Sequence, residues 1–160
     1  MDQDDFDLEI RVVDALADYL ENDAELPRHD VVKYRRPLAV LPDDCPLLCI
    51  WLIDKAFRPL TTNFFNGSMN LGISWQQASV MEAQTLRDNP KLAKELLEAI
   101  GRIQQSVRNL AVKGWDVLEA YQVYPMRVDY FQSMPVDTGL VEGYLMTVRV
   151  DVQEDGGWPG

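Results

Sequence analysis

Few residues in this sequence have the types and spacing that catalysis or metal binding requires. His29 is the only histidine, and Cys45 and Cys49 are the only cysteines. A zinc site needs four ligands and a catalytic triad needs an oriented histidine, so neither is predicted. On an extended segment the α-carbons of the two cysteines would stand about 13 Å apart, whereas a disulfide needs about 7 Å or less. We therefore expect two unpaired structural thiols that bind no metal.

The one arrangement typical of an enzyme is Asp54 at the end of the apolar run 46–53. A carboxylate there can bind a divalent metal, as in nucleases and phosphotransferases. No second carboxylate stands at a recognisable spacing, although Glu82, Glu119 or Asp129 could approach Asp54 in space. The alternative interpretation is a solvated strand end. The sequence has no glycine-rich phosphate loop, no HExxH or EF-hand pattern and no Gly-x-Ser-x-Gly elbow, so no cofactor is predicted.

The acidic charge is concentrated in the first part of the chain. The net charge is −11, and residues 1–25 hold ten acidic side chains against one arginine. Because nucleic-acid affinity comes largely from Lys and Arg that neutralise phosphates, this balance argues against a DNA or RNA binder. Asp14, Asp18 and Glu21 are candidates for an acidic helix face. That face could flank a passage for DNA, meet a basic partner or serve solubility alone.

Length and composition indicate one domain. The chain has 160 residues, 47% of them hydrophobic and 26% charged, which is the composition of a soluble globular protein. We expect a single α/β domain over residues 1–154 and a flexible tail over residues 155–160. No apolar run approaches the roughly 20 residues of a membrane helix, and residues 1–5 contain no basic or apolar signal region. A cytoplasmic protein without a membrane partner is expected.

Apolar periodicity predicts two main amphipathic helices. In the first, over residues 6–20, apolar side chains recur at steps of three and four. In the second, Asn89 can cap the helix, Pro90 fits its first position and Gly114 is expected to close it. These helices should position the strands between and after them.

The strand pattern predicts a mixed, mainly antiparallel sheet and thus an α/β fold of the α+β type. A proline-interrupted strand is expected over residues 31–41, where Lys33, Arg35 and Arg36 could contact phosphates or protect a sheet edge. Residues 46–53 predict a strand covered on both faces. Asn66–Gly67 is a strong turn signal for a long β-hairpin of residues 57–65 and 69–77. The last strands are expected within residues 115–131 and 139–153.

The hairpin carries large apolar side chains near its predicted turn. They could cover the core of the domain itself, or they could form a hydrophobic contact with a neighbouring subunit. The candidate interface residues are Phe64, Phe65, Asn66, Gly67, Met69 and Trp75.

The order of these elements resembles the tail terminator proteins of tailed bacteriophages. The likeness covers most of residues 4–153 and is strongest over residues 8–20, 46–53 and 139–152. The resemblance implies helices on a mixed sheet and a ring homo-oligomer, a hexamer, that caps the tail tube at full length and presents a surface to the head connector. It therefore implies a tail tube protein and a neck protein as partners, and DNA that passes without specific binding.

The same resemblance implies a location in the virion tail or neck, and in the host cytoplasm during assembly. The family is not enzymatic and has no catalytic, cofactor or metal residues to carry over. A related neck or tail-completion protein of similar layout is the neighbouring possibility. Two different functions also stay open, namely a metal-dependent nuclease or phosphotransferase that uses Asp54 and a small regulatory binding protein.

Overall fold

Two helices lie against a five-stranded mixed sheet, which confirms the predicted α+β class. The structure is a computed structural model that describes residues 7–37, 40–59, 64–79, 90–118, 122–132 and 139–155. The elements are α1 (Asp7–Glu21), β1 (Asp30–Lys33), a short 3-10 helix (Pro42–Asp44), β2 (Leu47–Pro59), β3 (Phe64–Ser79), α2 (Pro90–Leu118), β4 (Gln122–Gln132) and β5 (Leu140–Asp155). Neither helix is long and apolar enough in its described residues to cross a bilayer.

The strands follow the order β1-β2-β3-β5-β4, in which β1 and β2 are parallel and the other neighbours are antiparallel. Both helices pack on one side of the sheet, here called the helix face. Alternate strand residues meet apolar side chains of α1 and α2 there, as the period of two along a strand requires. The central members of this core are Leu16, Leu20, Ile50, Ile73, Trp75, Leu96, Ile103, Leu110, Met146 and Val148.

A smaller apolar cluster lies on the other side of the sheet, here called the opposite face. It consists of buried Leu47, Cys49 and Trp51, against which Val40 and Leu145 pack. Two adjacent parallel strands need a crossover of about a dozen residues, and residues 34–46 make this one. Because Val40 belongs to that crossover, the connection covers part of the opposite face.

The parallel pairing explains why the predicted strand 31–41 is wrong after Lys33. Lys33 pairs with Ile50, but the chain must return to Leu47, beside the start of β1. Tyr34 has a φ of 72° and its N–H donates to the carbonyl of Ile50 at 2.7 Å. The chain therefore leaves the sheet at Tyr34 and begins the crossover.

The predicted Asn66–Gly67 turn is also wrong, although β2 and β3 do pair as a hairpin. Its predicted first arm, residues 57–65, is divided, because residues 57–59 continue the strand predicted over residues 46–53 and Phe64 already belongs to β3. β3 begins at Phe64, and Gly67 pairs with Phe57 on one side and Val152 on the other. A turn at Gly67 would break the ladders of β3 with both β2 and β5. The connection between β2 and β3 is residues 60–63, which lie outside the described part of the chain.

Two other predicted boundaries differ from the structure. Gly114 does not close α2, which continues to Leu118, so the predicted strand 115–131 begins only at Gln122. A glycine inside a helix costs about 1 kcal/mol, which a helix of 29 residues can absorb. Asp155, expected in the flexible tail, is the last residue of β5, and residues 156–160 lie outside the described residues.

Candidate interaction surface

The predicted hairpin surface is largely interior where the structure describes it. Met69 and Trp75 are fully buried in the core and Gly67 is buried in the sheet, so their prediction as contact residues is wrong. The Trp75 indole N–H donates to Gln77 Oε1 at 2.8 Å, and the His29 ring meets the indole edge to face. For Met69 and Trp75, the alternative interpretation that they cover the core of the domain itself is the correct one. Phe64, Phe65 and Asn66 are placed in β3, but their side chains lie outside the described part.

Exposed apolar side chains occur instead along the two edges of the sheet. β1 pairs only with Leu47–Ile50, so in the described residues the rest of β2 has a ladder partner on its β3 side alone. We call residues 51–59 the β2 edge. Among the described strands β4 is the last at the other end of the strand order, and we call its unpaired margin, residues 122–132, the β4 edge. The two edges are therefore the two lateral margins of one sheet, at opposite ends of its strand order.

Each edge contains a β-bulge with a large apolar residue at its centre. Ile53 has no partner in the register of β2 with β3, and Met126 has none in the register of β4 with β5. Their side chains are 45% and 52% exposed. Leu52, Val128 and Tyr130 beside them are exposed as well. Bulges re-aim side chains, so both edges present apolar groups outward instead of placing them in the core.

Charged groups accompany the apolar residues at both edges. On the β2 edge, exposed Asp54 accepts a hydrogen bond from Asn70 Nδ2 at 2.7 Å. On the β4 edge, Arg127 donates two hydrogen bonds of 2.8 Å to Asp129. These hydrogen bonds lower the pKa of Asp129 and raise that of Arg127. Asp129 is therefore an anion near neutral pH, and Arg127 is a cation.

Tyr130 anchors the far end of the β4 edge. Its hydroxyl donates to buried Glu142 at 2.9 Å, and its ring meets Tyr144 edge to face. Burial of the phenol, the hydrogen bond to Glu142 and the charge of that carboxylate raise the pKa of Tyr130 to about 12. The ring is held in place while 43% of the residue stays exposed.

Asp54 does not form a metal site with the described residues. Asp129 lies three strands away, which is about 14 Å or more. No group of three or more His, Cys, Asp or Glu side chains in the described residues could hold a metal ion. Glu82 and Glu119 lie outside those residues. The described geometry at Asp54 is that of a solvated strand residue bonded to Asn70.

The acidic residues of α1 do not form a uniform outer face. Asp14 binds the Tyr34 hydroxyl and Lys33, the latter at 3.0 Å, and the hydrogen bond from Tyr34 is the main cause of its lowered pKa. Asp18 and Glu21 are exposed. The predicted acidic face therefore keeps Asp18 and Glu21, whereas Asp14 ties α1 to the end of β1.

Two further acids near α1 also bind within the domain. Glu9 of α1 pairs with Lys55 of β2, and both side chains are largely buried. Asp23, just after α1, pairs with Arg102 of α2. These ion pairs fasten α1 and its C-terminal turn to the sheet and to α2.

The predicted basic group lies where β1 ends. Lys33 is occupied by Asp14, and Arg35 and Arg36 follow in the first residues of the crossover, both exposed. This position is the one at which charged residues protect a sheet edge. A phosphate-contacting role stays a prediction.

Cys45 and Cys49 are free thiols in different settings. Cys49 is buried on the opposite face, where its sulfur accepts a hydrogen bond from Gln76 Nε2 at 3.2 Å. Cys45 ends the 3-10 helix ahead of β2, so the prediction that one strand holds both is wrong. Burial raises the pKa of both thiols, and with the charge of Asp44 it brings that of Cys45 to about 12.

Leu52, Ile53, Met126 and Val128 are the surface residues that the sequence did not single out. A short run of apolar residues has the same sequence pattern in an interior strand as in an edge strand. Its exposure depends on which other strand lies beside it, and the sequence of the run does not contain that information. No protein-family model and no curated protein matches the chain. The functional assignment therefore rests on the residues and geometry of the chain itself.

Proposed function

We propose that this protein is a structural subunit of a phage tail that assembles head to tail into a ring, as tail terminator proteins do. The ring would cap the tail tube, end its polymerisation and join it to the head connector. One observation carries the proposal. In the described residues, the β2 edge and the β4 edge are two different lateral margins of the same sheet, and each has exposed apolar residues. A closed ring of three or more subunits joined head to tail needs two different patches on each subunit, whereas a two-fold dimer uses the same patch on both.

The charge of the protein is consistent with this role. A tail ring surrounds a channel that DNA must traverse, and a wall that repels phosphates keeps DNA from adhering. The net charge of −11 and the exposed Asp18 and Glu21 support such a wall. The alternative, metal-dependent hydrolysis at Asp54, has no comparable support, because the described residues contain no cluster of metal-binding side chains there.

The proposal is tested by adding the purified protein to tail tubes assembled from a tube protein encoded beside its gene. We expect six-subunit rings at tube ends in electron micrographs, and tubes that stop growing when the protein is present. Light scattering gives the mass of the protein alone and after mixing. A protein that neither binds tubes nor changes their length would contradict the proposal.

A further inference from the structure

We propose that two copies of the free protein associate about a two-fold axis through their β4 edges, with Val128 across from Val128 and Arg127 across from Asp129 of the other copy. The contact is an antiparallel β-ladder that joins the two five-stranded sheets into one continuous sheet. The inference goes beyond the proposed function, because it concerns the protein in solution before any tail structure is present.

The β4 edge carries one positive and one negative side chain on the same face of the sheet. Asp129 pairs with Leu145, which packs in the opposite-face cluster, and Arg127 lies two positions earlier on the same face. Val128 between them pairs with the core residue Met146 and so lies on the helix face. Because directly opposite residues of an antiparallel pair share a face, two such strands can match charge with charge and Val128 with Val128.

Only a two-fold axis at Val128 brings Arg127 of each copy across from Asp129 of the other. The four charges then alternate in sign at the corners of a square, so each group has opposite charges as neighbours along its own strand and across the contact. An axis at Arg127 or at Asp129 would place two like charges across from each other. An axis between two residues would place side chains of different faces across from each other.

Both charged groups keep hydrogen-bonding capacity for a second copy. Within the chain, Arg127 donates to Asp129 through Nε and Nη2. A guanidinium has five N–H donors, and each carboxylate oxygen can accept more than one hydrogen bond. The two side chains are 68% and 45% exposed, so a partner can reach them.

The apolar residues of the β4 edge fit the same arrangement. Val128 and Tyr130 are on the helix face, yet they are 40% and 43% exposed. The helix α2 therefore leaves this part of β4 uncovered, and a second sheet has room beside it. In the two-fold contact Val128 meets Val128, and Met126 in the bulge comes beside Tyr130 of the other copy. The contact thus covers exposed apolar groups of both copies.

The main chain of the β4 edge can form hydrogen bonds in this register. Among the described strands β4 has a neighbour only on its β5 side, and alternate residues of an antiparallel strand direct N–H and C=O to that neighbour. The outward groups belong either to Val128, giving two hydrogen bonds across the axis, or to Arg127 and Asp129, giving four. The bulge between Pro125 and Arg127 keeps the ladder short. We therefore expect a dissociation constant of about 10–100 µM.

The dimer competes with the proposed ring, because a head-to-tail ring also uses the β4 edge. A subunit whose β4 edge is occupied by its two-fold partner cannot offer that edge to a ring. By mass action, dimer formation therefore lowers the concentration of subunits that can assemble away from a tail end.

Sedimentation velocity at protein concentrations that span this range measures the association. Arg127→Asp and Asp129→Arg each place like charges across the contact, and each should raise the dissociation constant about tenfold or more. An equimolar mixture of the two variants should form a heterodimer, because two aspartates then face two arginines although the ion pair within each chain is lost. Arg127→Asp/Asp129→Arg should self-associate near the wild-type level. Arg108→Asp, an exposed change on α2, is the matched control and should have no effect.

A cysteine at the axis tests the register. Directly opposite α-carbons in antiparallel strands are about 4.5–5.5 Å apart, within the span of a disulfide. Val128→Cys should therefore cross-link into a dimer under mild oxidation, as non-reducing gels would show. Leu52→Cys on the β2 edge is the matched control, since Leu52 is 37% exposed and Val128 is 40% exposed. It should stay uncross-linked, and a thermal melt of each variant verifies that it is folded.

Three results would overturn the two-fold contact. They are a wild-type protein that stays monomeric throughout the concentration range, single variants whose mixture forms no heterodimer, and Val128→Cys that cross-links no faster than Leu52→Cys. A charge-sensitive dimer that ignores tail tubes would support the contact and contradict the proposed function. Rings on tail tubes from a protein that is monomeric in solution would contradict the contact alone.

Discussion

The indole of Trp51 lies against the backbone of Gly72, its partner on the neighbouring strand. A β-carbon at Gly72 would come within 2.4 Å of the indole Cζ2. Gly143, two strands away on β5, has a similar neighbour, because the ring of its partner Phe131 on β4 is 2.9 Å from the corresponding β-carbon position. Glycine in a strand allows such a close approach, and the two aromatic rings cover parts of the opposite face that carry no helix.

Gly72→Ala should lower the free energy of unfolding by about 1–3 kcal/mol, because the new methyl group displaces the indole or the strand. Urea denaturation measures the change, and the tryptophan emission of the native state should shift with it. Gly101→Ala is the control, since nothing lies within 4 Å of its β-carbon position on α2. That change should stabilise the protein by up to about 1 kcal/mol. Equal effects of the two substitutions would contradict the close packing at Gly72.

Asp23→Ala should destabilise the protein by about 1–3 kcal/mol at neutral pH. The carboxylate accepts hydrogen bonds from Arg102 Nε at 3.0 and 3.1 Å and from Ser106 Oγ at 2.6 Å. Burial of Asp23 alone would raise its pKa, but these hydrogen bonds, the backbone N–H of Glu25 and the charge of Arg102 outweigh it and lower the pKa. Glu25→Ala removes an exposed partner of the same Arg102 and should change stability by less than about 0.5 kcal/mol.

The pH dependence of Asp23 follows from the direction of that shift. A carboxyl whose pKa is lower in the folded state stabilises the protein above its unfolded pKa of about 4, and the contribution is lost as the pH falls through the folded value. Urea denaturation at several pH values should therefore show the wild type and Asp23→Ala converging in acid. A difference that grows towards low pH would contradict the assigned hydrogen bonds.

The double variant Asp18→Lys/Glu21→Lys should leave ring formation intact and make the ring retain DNA at about 150 mM salt, because it adds positive charge to exposed positions. Filter binding at increasing salt measures the retention. Asp14→Lys is not an equivalent probe, since it breaks the contacts of Asp14 with Lys33 and Tyr34 and should lower the melting temperature. Equal release of DNA by variant and wild-type rings would leave solubility or docking of a basic partner as the role of this face.

Native Cys45 and Cys49 should react slowly with iodoacetamide at pH 8. With the pKa of Cys45 raised to about 12, only about one thiol in ten thousand is the reactive thiolate at that pH. After denaturation without reductant, both thiols should react at once, and a thiol reagent should count two per chain. A count of zero or stoichiometric zinc would contradict the prediction of unpaired, metal-free cysteines.

Magnesium or manganese should produce no cleavage of DNA by the purified protein. Asp54 has only Asn70 as its hydrogen-bond partner among the described residues, and no metal-binding cluster is found there. Gel analysis of plasmid and linear DNA with each metal tests this expectation. A cleavage that disappears in Asp54→Ala would favour a nuclease over the structural role.

Local apolar periodicity was sufficient to predict the two helices, but it divided β2, Leu47–Pro59, between two predicted strands, 46–53 and 57–65. The first helix was expected over residues 6–20 and is Asp7–Glu21, and the second begins at Pro90 as expected. The last strand was expected within residues 139–153 and is Leu140–Asp155, with alternating Met146, Val148, Val150 and Val152 in the core. These features depend on residues within a few positions of one another, so the sequence alone carries the information.

Strand neighbours and charge partners were decided only by the tertiary structure. The same Asn66–Gly67 pair that favours a turn lies inside β3, because β2 and β5 bind that strand on both sides. The sequence predicted that the acidic residues of α1 form one negative face. In the structure Asp18 is exposed to solvent, whereas Asp14 forms an ion pair with Lys33 of β1. β1 ends after four residues and leaves the rest of β2 as an edge. Each outcome depends on groups far apart in the chain, whose approach local propensity cannot encode.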